Sequence, residues 1–72
     1  MNGDYTVRGY AGANYLRARV GDLLLETRHR GESSMQIEVE AWKERMRRGE
    51  VSRVEVVDHA THETRTVYPE TR

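Results

Sequence analysis

Met35, Val39, Trp42 and Met46 recur at the i, i+4, i+7, i+11 spacing of one helical stripe, and Trp42 is the only tryptophan in the chain. A stripe of this kind folds only against a partner surface. The spacing therefore predicts a helix over about 34–48 and requires the rest of the chain to supply a sheet or a second helix. Ser33 with Gln36 fits a capping box at its start. At its end Glu44 can reach Arg47 and Arg48 along the helix surface, both arginines suit the negative carboxyl terminus, and Gly49 suits the C′ position. Met35, Ile37, Val39 and Ala41 also alternate strictly, so the first turns carry a competing strand signal. In the helical reading Ile37 points away from the stripe.

The flanks alternate. Residues 4–10 and 15–20 both do so around the small, turn-prone stretch 11–14, which reads as a hairpin with Tyr10 facing Tyr15. One face then carries Tyr5, Val7, Leu16, Ala18 and Val20, and the other carries Thr6, Arg8, Tyr10, Tyr15, Arg17 and Arg19. Residues 23–30 read as a further strand, since Thr, His and Arg are poor helix material; a short helix capped by Asp22 is the competing reading. Residues 50–58 and 63–68 form a second hairpin closed by 59–62. Its expected register pairs Asp58 with Glu63, Val57 with Thr64, Val56 with Arg65, Val54 with Val67 and Arg53 with Tyr68. Pro69 ends the last strand because it has no amide hydrogen to donate.

The fold class expected is α+β: a small single domain over 1–72, with an antiparallel sheet of two hairpins (four or five strands) packed on one face against the helix. The expected core is Val7, Leu16, Ala18, Val20, Met35, Val39, Trp42, Met46, Val54, Val56 and Val67. The outline of hairpin, helix and closing hairpin, with Val54, Val56, Asp58, Thr61 and Glu63 in the closing unit, is similar to that of many small bacterial and phage proteins. That likeness implies an architecture and no activity.

The densest cluster of chemically useful side chains is Asp58, His59, His62 and Glu63. Turn chemistry accounts for it: Asp58 opens the turn, Thr61 bonds locally, and His62 takes the left-handed position that usually falls to glycine. Two histidines without a third strong ligand are weak evidence for a metal, and the chain has no cysteine. There is no phosphate-binding glycine loop and no Ser-His-Asp arrangement. The expectation is a non-enzyme with no catalytic residues, metal, cofactor or small-molecule substrate. No apolar run approaches the length of a membrane span, so a cytoplasmic protein is expected.

The candidate binding residues are Arg8, Tyr10, Tyr15, Arg17 and Arg19, interleaved on the outer face of the first hairpin. Arginine and tyrosine together suit a protein interface. They also suit stacking on bases and pairing with phosphates, but a net charge of zero counts against unspecific nucleic-acid binding. The leading expectation is a small accessory protein of phage or mobile-element type. It would act by protein–protein contact, with another protein or with itself as a homodimer. The alternative is a nucleic-acid-binding protein using the same face.

Overall fold

The computed structural model describes residues 3–69. Four strands and one helix follow in the order β1 (Asp4–Ala11), β2 (Leu23–Arg30), α1 (Glu32–Arg47), β3 (Val51–Asp58) and β4 (Glu63–Tyr68). All neighbouring strands are antiparallel, in the order β2-β1-β3-β4. The expected α+β class is therefore observed, with β1 and β3 central and α1 across one face, over β1, β3 and β2.

Parity explains which face α1 covers. In β1 the odd positions turn inward, and Val7 is fully buried. Val7 lies opposite Val56, and Gly9 opposite Val54. Met35, Val39 and Trp42 bring the helix stripe down onto these residues, with Val51 and Tyr68 closing the cluster and Met46 half-buried at its border. Ile37 is exposed, as its place off the stripe requires. The benzo ring of Trp42 lies directly over Gly9, where a Cβ would come within 2.7 Å of Cζ2. Glycine in the middle of a central strand is thereby explained by the close approach of another side chain.

The helix ends as its sequence indicates. Gly49 has φ 75°, its N–H donates to Met46 O, and the Glu50 N–H donates to Arg45 O, the paired bonds of a Schellman motif. Glu44 reaches Arg47 at 3.6 Å and Arg48 at 3.8 Å. The start differs from expectation. Gly31, with φ 83°, is the N-cap, and Ser33 lies inside the helix, so no capping box forms. Gln36 Nε2 instead donates to Glu32 Oε1 at 3.3 Å. Beginning the helix at Glu32 places an acidic residue in the first turn, where the macrodipole favours it.

The expected first hairpin does not form. β1 pairs with β2, from Asp4 opposite Arg30 to Tyr10 opposite Leu23, and residues 12–22 connect them as a loop. The stretch 11–14 fails to reverse locally because it docks elsewhere. The Gly12 N–H donates to Glu50 O, the Asn14 N–H to Gly49 O, and Asn14 Nδ2 to Arg48 O. These bonds tie the loop to the end of α1. Leu16 is consequently 94% exposed and Val20 65% exposed, against the expectation that both are core, and Ala18 is half-buried. Leu24 takes their place against the cluster. The reading of 23–30 as a strand is correct.

The second hairpin keeps its expected register from Asp58–Glu63 to Val56–Arg65. A bulge between Val54 and Glu55 then brings Tyr68, not Val67, opposite Val54. Tyr68 is therefore buried and Val67 half-buried.

Candidate functional site

The sheet face opposite α1 has no element of the described chain upon it. The even positions of β1 point there, and cross-strand pairing assigns their neighbours. Arg8 lies opposite Glu26 and Glu55, Thr6 opposite Arg28 and Val57, and Tyr10 opposite Arg53. Side chains directly opposite one another share a face, so these residues form one surface.

Its centre is built around Tyr10. The guanidinium of Arg53 stacks over the Tyr10 ring, 4.3 Å from its centroid. The Tyr10 hydroxyl donates to Glu55 Oε1 at 2.7 Å, and Arg53 Nε lies 3.6 Å from Glu55 Oε2. The bond to Glu55 and partial burial raise the Tyr10 pKa above its usual 10.0. Tyr10 is therefore a neutral donor at neutral pH. Toward β2, Arg8 Nε donates to Glu26 Oε2, which raises the Arg8 pKa further above its usual value. At the far corner Arg28 Nη2 donates to Asp4 Oδ2 at 3.0 Å. Arg8, Arg28 and Arg53 are thus each matched by a carboxylate on the same face.

Of the residues expected to bind, the structure places Arg8 and Tyr10 on this face. Tyr15, Arg17 and Arg19 lie in the loop 12–22 and not in a strand, so strand pairing assigns none of them to it. Arg17 and Arg19 are exposed, and Tyr15 is half-buried. Asp22 holds the loop's end by accepting from the Arg19 N–H at 3.1 Å. The members that sequence reasoning missed are Glu26, Arg28, Arg53 and Glu55. The opposite parity of Arg53 and Glu55 to Val54 and Val56 was visible in the sequence; their adjacency to Tyr10 depends on strand order.

The Asp58–Glu63 stretch is a turn. Asp58 Oδ1 accepts from the Ala60 N–H, Thr61 Oγ1 from the Glu63 N–H, and His62 has φ 61°. Among the described residues no three His, Asp or Glu side chains gather in a group that could hold a metal ion. His59 serves the outer face instead: its Nε2 is 2.7 Å from Thr6 Oγ1, a nearly buried hydroxyl. Among the described residues no helix is long and apolar enough to cross a membrane. Neither family models, curated proteins nor solved structures give a match to this chain.

Proposed function

We propose that the chain is a small non-enzymatic binding protein that engages another protein through the outer face of its sheet, with Tyr10, Arg8, Arg53 and Glu55 at the centre of the contact. The observation that carries this reading is the internal pairing of the face's arginines. A phosphate backbone would have to compete with Glu26, Asp4 and Glu55 for the same guanidinium groups. A protein partner can use the face as it stands, stacking on the Arg53–Tyr10 pair and matching the fixed mosaic of charge. Tyrosine and arginine held rigidly in this way are the residue types that dominate protein interfaces.

The test is affinity capture from host extract with the wild type, Tyr10→Ala and Arg8→Glu, at low and raised salt. A protein retained by the wild type at both salt levels, and lost with both variants, supports the reading. Capture of nucleic acid that weakens steeply with salt would replace it by the alternative. A partner list unchanged by both variants would mean that the working surface lies elsewhere.

A further inference from the structure

We propose that the chain forms a homodimer along the free edge of β2, joining two sheets into one across a two-fold axis at Thr27. This goes beyond the outer-face reading and does not depend on it, since the paired sheet leaves that face uncovered.

Hydrogen-bond parity identifies the free groups. The Gly31 N–H donates to Gly3 O at 2.8 Å, and the His59 N–H donates to Asp4 O at 3.0 Å. Odd residues of β1 therefore bond to β2, and even ones to β3. It follows that Leu25, Thr27 and His29 direct their backbone groups inward. Glu26, Arg28 and Arg30 present theirs at the edge. The stretch Leu23–Arg30 contains no proline and no lysine, and Leu23 and Leu25 are 51% and 44% exposed. An edge lacking these blocking devices is a template for another strand. The opposite edge is different: β4 is shorter, and Pro69 follows it.

Charge selects the partner and the register. In a two-fold antiparallel pairing centred on Thr27, Glu26 lies opposite Arg28 of the second copy, and symmetry repeats the match. Both residues face the outer side and both offer edge amides, so each forms a fully hydrogen-bonded pair with its opposite. Leu25 then lies against His29 of the second copy. Centring on Arg28 also sets Glu26 against Arg30 of the second copy but puts arginine against arginine on the axis itself, and centring on Glu26 sets glutamate against glutamate. Centring on Leu25 runs into the irregularity where Gly9 pairs with Leu25 but Tyr10 with Leu23. The self-complementary register is the one about Thr27, which makes a second copy the fitting occupant.

Cysteine substitution reads this directly, because the chain has no cysteine of its own. Thr27 would meet Thr27 of the second copy as a non-hydrogen-bonded pair, with Cα atoms about 4.5 Å apart, within disulfide reach. Mild oxidation of Thr27→Cys is expected to give a covalent dimer, with Leu25→Cys remaining monomeric. Light scattering on the unmodified protein should give twice the 8.4 kDa chain mass. Arg28→Pro removes an N–H that points away from β1 and has no partner among the described residues, so it should leave a folded monomer. Monomeric mass at every concentration up to millimolar, cross-linking at Leu25→Cys but not Thr27→Cys, or a folded Arg28→Pro that is still dimeric would each overturn the proposal. If Arg28→Pro fails to fold, the two cysteine variants decide.

Discussion

Gly9→Ala tests the packing of the domain at its tightest point. The glycines with positive φ are Gly21, Gly31 and Gly49, so the backbone at Gly9 accepts alanine without strain among the described residues. Space does not. The added Cβ would lie 2.7 Å from Trp42 Cζ2 and closer still to two other carbons of the same ring. Carbon atoms in favourable contact are about 3.5–4.0 Å apart, so the ring must retreat by roughly 1 Å. It has little room, since Trp42 is 1% exposed and Val7 and Val54 are fully buried. Overpacking of this kind costs roughly 1–3 kcal/mol. Against it stands the reduced freedom of the unfolded chain, worth about 0.4–1 kcal/mol when glycine becomes alanine. Clash prevails, and the net loss is about 1–2 kcal/mol. A domain of 72 residues has a total stability of roughly 4–11 kcal/mol, so the change is readily measured.

Urea titration followed by far-ultraviolet circular dichroism is the assay, since it does not depend on the tryptophan. The same substitution in a Trp42→Phe background identifies the cause. Phenylalanine lacks the outer carbons that meet the new methyl group, so Gly9→Ala should there be neutral or stabilising. The coupling energy between the two sites should reach about 1 kcal/mol or more. A Gly9→Ala protein at least as stable as the wild type, or strictly additive effects, would refute the argument.

Trp42→Ala should remove about 3–5 kcal/mol, a large share of the domain's stability; a urea midpoint left near the wild-type value would disprove the core. Leu16→Ser should shift stability by no more than about 0.5 kcal/mol, and a larger loss in the same urea titration would mean that the loop 12–22 packs against the sheet. His62→Gly should raise stability by up to about 1 kcal/mol by relieving a left-handed residue, as read from the urea midpoint. Tyr10 has a raised pKa in the folded state, so its bond to Glu55 contributes stability below the ordinary pKa of 10.0 that is lost as pH rises through the higher folded value. Tyr10→Phe should therefore flatten the stability profile above that pH; an unchanged alkaline slope would refute the sign.

Local chemistry was the legible part of the sequence. The helix stripe, its glycine stop and the 59–62 turn each depend on residues a few positions apart, and each formed as read. The helix start was misjudged because Ser33 carries a cap signature, whereas Gly31 supplies the bend. The first hairpin was misread for a tertiary reason. Alternation in 15–20 is real, but that segment competes for β1 with the leucine-led stretch 23–30, while Gly12 and Asn14 are drawn to the carbonyls that end α1. Bulges left no mark in the pattern, so Tyr68 and Val67 exchanged places. On the outer face parity placed Arg8 and Tyr10 correctly, but only strand order could bring Arg53 and Glu55 beside them.

The excess of arginine over lysine, eleven to one, acquires a structural use in this geometry. A guanidinium is flat, so one face can rest on an aromatic ring while its edge bonds to a carboxylate. Arg53 does both, over Tyr10 and beside Glu55. Arg45 covers the Trp42 ring at 4.7 Å and so shields the core at the helix border. An ammonium group, compact and strongly hydrated, cannot stack and bridge together. The inner face is thereby held by apolar packing and the outer face by arginine-centred pairs, with β1 contributing alternate residues to each. Substitutions at Arg8, Tyr10 and Arg53 act on a half-exposed layer away from the Trp42 cluster. The same parity that builds the core thus lets the chemistry of this face be altered with the fold retained.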